Sequence, residues 1–82
     1  MSLQLLFFAS VKETLGCESE VFANDVKTVA ELVAELSKRG EKWQATMQRD
    51  SILIAVNQTI SDLNTPLKTG DEVAFFPPVT GG

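Results

Sequence analysis

The residues best suited to chemistry stand at the end of the chain, Pro77-Pro78-Val79-Thr80-Gly81-Gly82. Helix and strand patterning stops at Phe76, and the two prolines stiffen the exit and offer no N–H to a neighbouring strand. Six residues at up to ~3.3 Å each reach about 20 Å, enough to enter another protein's active site while the body docks outside. Gly81 and Gly82 lack Cβ atoms, which suits a narrow channel and leaves the terminal carbonyl open to attack. A free carboxylate is a poor electrophile, so a second enzyme must activate it, most simply with ATP as an acyl-adenylate. The activated carboxyl can then receive sulfur as a thiocarboxylate, or pass to a thiol and on to an amine. Loose glycine ends are also common as frayed termini. The two-proline arm, the Gly70-Asp71 turn and the order of elements set this ending apart.

Other chemistries are excluded by what the chain lacks. It contains no histidine and one cysteine, Cys17, so a histidine-based triad, a Cys/His zinc site and an internal disulfide are impossible within it. Cys17 follows Gly16 in an expected loop with no CxxC spacing, and reads as structural. Asp25, Asp50, Asp62, Asp71 and Glu72 fall in expected turns, where short acidic residues cap and turn the backbone. Trp43 reads as core. No resident metal or cofactor is expected. Seven Lys plus Arg against eleven Asp plus Glu give a net charge of −4, the wrong sign for a nucleic-acid partner. The apolar start, Leu5 to Ala9, is too short to span a membrane and lacks the flanks of a secretory signal, so the cytoplasm is the expected location.

Eighty-two residues, 44% hydrophobic and 22% charged, suffice for one small core. The division expected is a domain over 1–76 and an extended tail over 77–82. Leu3 to Ala9 reads as a first strand, Val11 to Leu15 as one helical turn closed by Gly16, and Glu18 to Ala23 as a second strand returning antiparallel. Thr28 followed by Glu31 is a capping box, and Val29, Leu32, Val33 and Leu36 form one apolar stripe that must face a sheet. Glu35 and Arg39 stand at a favourable i, i+4 spacing, and Gly40 supplies a left-handed stop. Glu41 to Met47 reads as a short helical lid, with Trp43 and Met47 turned to the core. Ile52 to Val56, Thr59-Ile60 and Glu72 to Phe76 read as three further strands, the first two joined at Asn57-Gln58.

Leu5-Leu6-Phe7-Phe8 and Val73-Ala74-Phe75-Phe76 are apolar at consecutive positions, the pattern of central strands buried on both faces. They are placed side by side and parallel, joined by a right-handed crossover carrying the helix. The fold expected is α+β: a β-grasp, or ubiquitin-like, mixed sheet with one main helix on one face and a Gly-Gly tail. Apolar residues left on the other face, one of Phe75 or Phe76 among them, call for either a protein partner or a second small core under loops.

The segment Asp71-Glu72-Val73-Ala74-Phe75-Phe76-Pro77-Pro78-Val79-Thr80-Gly81-Gly82 resembles the C-terminus of the small subunit of molybdopterin synthase, the MoaD-type sulfur carriers. Leu6-Phe7-Phe8-Ala9 and Ala55-Val56-Asn57-Gln58-Thr59 are similar to the same family. The resemblance implies the sulfur-donating half of a heteromeric sulfurtransferase, with no active site of its own. By it, Gly82 bears an adenylate and then a thiocarboxylate, formed with ATP and a sulfur donor by a ubiquitin-activating-like adenylyltransferase. Gly81 lets the tail thread, and Pro77, Pro78, Val79 and Thr80 form the arm held by the large subunit. Phe75 and Phe8 are the expected apolar docking contacts. The sulfur goes to cyclic pyranopterin monophosphate, two transfers building the dithiolene of molybdopterin for the molybdenum cofactor. The assembly implied is a heterotetramer. A thiamine-thiazole type sulfur carrier and a ubiquitin-like protein modifier share the fold and the Gly-Gly end, and stand as alternatives.

Overall fold

Alternation along the first strand fixes the two sides of the molecule. In β1 (Leu3–Phe7), Leu3, Leu5 and Phe7 are buried, whereas Gln4 is exposed and Leu6 half-buried. The computed structural model describes residues 1–48 and 52–77. It adds α1 (Ala9–Leu15), β2 (Ser19–Phe22), α2 (Val29–Ser37), α3 (Glu41–Met47), β3 (Leu53–Val56), β4 (Thr59–Ser61) and β5 (Glu72–Phe76). The sheet runs β2-β1-β5-β3-β4. As expected, β1 and β5 are parallel neighbours, with Leu5 beside Val73 and Phe7 beside Phe75, and β2 returns antiparallel on β1.

The main helix α2 and the shorter α1 and α3 together close the helix-side core. Val11 of α1, Val29, Leu32 and Leu36 of α2, and Met47 of α3 join Leu3, Leu5, Phe7, Val73 and Phe75 in a single buried cluster. Trp43 packs edge-on against Phe7 at 5.6 Å, the lid expected of α3. Because all the buried apolar helix residues belong to that one cluster, the consecutive apolar runs of β1 and β5 do not report helices on both faces. One set of side chains fills the core and the other lies on an apolar sheet face that no helix among the described residues covers.

Local chemistry explains the boundaries. α1 starts two residues before the expected turn: Phe8 is extended, and Ala9 takes a left-handed φ of 50° to bend the chain from strand to helix. Gly16 ends it at φ 68°, donating its N–H to the Lys12 carbonyl, a turn that glycine adopts without a Cβ penalty. At α2 the Thr28 hydroxyl accepts from the Glu31 N–H, and the Glu31 carboxylate accepts from the Lys27 N–H rather than that of Thr28. The box is therefore one residue wider than its usual form.

Two expectations about the end of α2 need correction. Gly40 is not a left-handed stop; at φ 144° it precedes α3, and α2 closes on N–H bonds from Lys38 to Glu35 and from Arg39 to Leu36. Nor does Arg39 pair with Glu35. It crosses to β2, making two bonds of 2.6 Å to Glu20, and stacks over Trp43 at 4.6 Å, while Glu35 takes Lys38. A planar guanidinium serves a carboxylate and an aromatic face together, a demand that lysine cannot meet. Arg39→Ala is expected to lower stability by about 1–2 kcal/mol, and Arg39→Lys to recover less than half of that, as read by urea unfolding.

Candidate functional site

Of the residues expected to act, Pro78, Val79, Thr80, Gly81 and Gly82 lie outside the described residues. The root of the tail is described. β5 ends at Phe76, and Pro77, which lacks an N–H, cannot extend its ladder. On the open face, Phe76 stacks on Phe8 with ring centroids 4.8 Å apart and planes within 6°. The Phe8 backbone is held from both sides: its N–H donates to the Phe75 carbonyl, and its own carbonyl accepts from the N–H groups of Val11 and Lys12. The stacked pair is thus fixed where the tail leaves the sheet.

The expected docking residue Phe75 is corrected by this geometry. It is fully buried and stacks on Phe7 at 5.3 Å, on the helix side of the sheet. Successive strand residues face opposite ways, so its neighbour Phe76 takes the open face. Phe8, the other expected contact, is 41% exposed there. A signal for this parity lay in the sequence. Gln4 and Glu72 are register partners, and counting by twos from these polar positions gives Leu6 and Phe8 on one strand, Ala74 and Phe76 on the other.

Register arranges the open face in rows. Farthest from the tail root lie Val21, Gln4 and Glu72; next come Ser19, Leu6, Ala74, Ala55 and Ile60; nearest are Phe8, Phe76 and Leu53. Apolar character therefore increases toward the root. Ala74 and Ala55 form a low floor between the larger Leu6 and Ile60. Ile60 and Val21, expected in strands but not as docking contacts, are 64% and 63% exposed. Isolated exposed apolar residues are ordinary, but a contiguous apolar face beside a projecting segment marks an interaction surface.

Behind the face, a polar brace holds the start of β5. Asn57 and Gln58 both take left-handed φ, at 51° and 70°, making the tight hairpin turn between β3 and β4. The Asn57 amide donates to the Asp71 carboxylate at 3.0 Å, and its oxygen accepts from the Glu72 N–H. The other Asp71 oxygen accepts from the Lys68 N–H at 2.9 Å. Burial alone would push this carboxyl up; the bonds from Asn57 and the Lys68 N–H, with the nearby Lys68 ammonium, outweigh it and hold Asp71 below its ordinary value. A carboxyl depressed in the folded state contributes stability that is complete above the unfolded pKa of ~3.9 and lost as pH falls through the lower folded value. Urea midpoints measured from pH 7 downward should therefore show an acid-side loss in the parent that is smaller in Asp71→Asn, a variant already weaker at pH 7.

Asp50 lies outside the described residues, and the remaining candidates within them are structural. Asp25 pairs with the N-terminal amine, and Asp62 accepts from the Asn64 N–H in its own turn. Cys17 is half-buried, its thiol directed at the Ser19 carbonyl at 3.4 Å. Among the described residues no group of three His, Cys, Asp or Glu side chains could hold a metal ion, and no helix is long and apolar enough to cross a membrane.

Similarity to known proteins agrees with this geometry. Residues 5–82 match the ThiS family. The molybdopterin synthase sulfur carrier subunit of Escherichia coli is 42% identical over 80 residues, spanning 98% of this chain and 99% of that one. The Haemophilus influenzae protein of the same name is 40% identical over the same shares. Among solved structures, a protein–protein complex of subunits 1 and 2 of molybdopterin-converting factor from Helicobacter pylori contains a chain 34% identical, with a TM-score of 0.71 and full coverage of both chains. With the β-grasp order of elements and matches running almost end to end, the chain belongs to the ThiS family, alongside the molybdopterin synthase sulfur carrier subunits.

Proposed function

We propose that the chain is the sulfur-carrying small subunit of molybdopterin synthase. The observation that carries this reading is the apolar sheet face opposite the helix-side core, which becomes most apolar at the Phe8–Phe76 stack where the tail departs. A carrier needs such a design: a body that docks reversibly and a handle that reaches a reaction centre in its partner. The likeness to a chain solved in a protein–protein complex of subunits 1 and 2 of molybdopterin-converting factor supports a docking partner here.

In this reading the catalytic power belongs to the partners. A ubiquitin-activating-like adenylyltransferase joins the Gly82 carboxylate to AMP from ATP, releasing pyrophosphate. A sulfur donor then displaces AMP and leaves a thiocarboxylate. The open face docks on the large synthase subunit, with Phe8, Phe76 and Ile60 as anchors. Pro77 to Thr80 run along that subunit, Gly81 passes its narrowest point, and the sulfur is delivered to cyclic pyranopterin monophosphate. Two deliveries supply the two sulfurs of the dithiolene. A heterotetramer, with one small subunit on each side of a large-subunit dimer, accommodates this without contact between carriers.

Intact mass spectrometry tests the cycle. Incubation with ATP, the activating enzyme and a sulfur source should replace one oxygen by sulfur, and the mass should return to its starting value on adding the large subunit and cyclic pyranopterin monophosphate. Charging followed by transfer to lysines of other proteins, with no pterin sulfuration, would favour the modifier role instead.

A further inference from the structure

The open face does not stop at the β4 edge. β4 has three residues and ends at Ser61, opposite Ile54, so Leu53 and the preceding Ile52 have no strand beyond them on that side. The chain then turns away through Asp62 to Thr65 and is tied to the start of α2 by N–H bonds from Val29 to Thr65 and from Ala30 to Leu63. Between this segment, the flank of α2 and the end of α3 lies a groove of about 500 Å³, walled by Val33, Met47, Ile52, Leu53, Ile60 and Leu63. Leu63 at its mouth is 53% exposed.

Two observations indicate what it holds. Two of its three polar lining residues, Gln48 being the third, are committed elsewhere: the Ser61 hydroxyl donates to the Thr59 carbonyl, and the Asp62 carboxylate accepts from the Asn64 N–H. A small-molecule site requires a few polar groups converging on the ligand, and these two turn back on their own backbone. Second, Leu53 and Ile60 belong both to the groove and to the docking face, Leu53 being the register partner of Phe76. The apolar surface is therefore continuous from the tail root, around the sheet edge and into the groove.

We propose that the groove receives apolar side chains of the large synthase subunit, extending the docking face around β4; this rests on the docking reading above. The sheet face sets the approach of the carrier, and the groove, on a different side of the same edge, resists its rotation about the tail.

The full chain carrying Leu63→Lys, titrated against purified large subunit, is the test. Affinity is expected to fall at least about 10-fold, with Leu63→Met near the parent, because a charge would be driven into an apolar contact. Phe8→Asp is measured alongside. Parental affinity for Leu63→Lys with weakened Phe8→Asp would overturn the groove proposal and leave the docking face standing. Parental affinity for both would overturn the docking face, and the groove with it. Should Leu63→Lys not fold, methyl NMR of the unmodified chain decides. Shifts of the Val33 and Leu63 methyls on adding the large subunit support the proposal, and shifts confined to Leu6 and Ile60 overturn it.

Discussion

Deleting Gly82 is expected to leave the fold unchanged and to reduce sulfur transfer more than about 100-fold. All the buried core residues among those described precede Pro77, and a glycine has no side chain to pack, so the urea midpoint should shift by no more than a surface change does, about 0.5 kcal/mol. The shortened chain still ends in a glycine carboxylate, so the chemical type of the terminus is kept. Its position is not: the reacting carbonyl falls short by one residue, about 3.3 Å, and a displacement near 1 Å can already cost ~100-fold in a positioned reaction. Gly81→Leu separates reach from width. It keeps the length and adds a side chain, and should slow turnover without moving stability. Wild-type pterin sulfuration by the Gly82 deletion, in a synthase assay with saturating large subunit, would remove the basis for the mechanism.

How much of this was legible in the chain depends on which physical signal each feature rests on. The α2 stripe and its cap were plain, because Thr28, Glu31 and the four apolar residues from Val29 to Leu36 each satisfy a local rule. The pairing of β1 with β5 was legible from their matched apolar runs, though for a partly mistaken reason. Both-face burial holds only at the centre, where Val73, Ala74 and Phe75 are all buried, whereas Leu6 and Phe76 are half-buried and Phe8 exposed on the face opposite the core. The missing parity led to Phe75. Once both faces are apolar, hydrophobicity no longer tells which of two adjacent phenylalanines points inward; only the polar marks at Gln4 and Glu72 carry the parity. The Arg39–Glu20 pair was hidden for another reason. A local i, i+4 partner was available at Glu35, and only the folded chain brings Glu20 of β2 and the Trp43 face of α3 to the same guanidinium.

The site divides along the same line. The chemistry of the tail was readable because Gly82 needs no fold to be a carboxyl terminus. The docking face was not, since it exists only when five strands are in register. Val21 on β2, Leu6 on β1 and Ile60 on β4 come from three distant parts of the chain, and each alone is one apolar residue in a strand. Their conjunction beside the tail root is a product of the sheet order.

The adjacent phenylalanines therefore offer the sharpest test of that order. Phe76→Asp is expected to fold, because its ring lies on the open face, and to lose large-subunit affinity by about 30- to 1,000-fold, the range for truncating a central aromatic anchor. Phe75→Ala should do the reverse in kind. Removing a fully buried ring stacked on Phe7 costs about 3–5 kcal/mol, against a total of roughly 4–12 kcal/mol for a domain of this length. The Phe75 variant should thus lose a large part of its stability, while its folded fraction, corrected for population, binds nearly as the parent does. Pairing Phe8→Ala with Phe76→Ala in a double-mutant cycle adds the internal control: rings 4.8 Å apart and nearly coplanar should show a coupling of about 0.5–1.5 kcal/mol in binding. If Phe75→Ala instead weakened binding at full stability and Phe76→Asp left it alone, the assignment of the two sheet faces would be inverted.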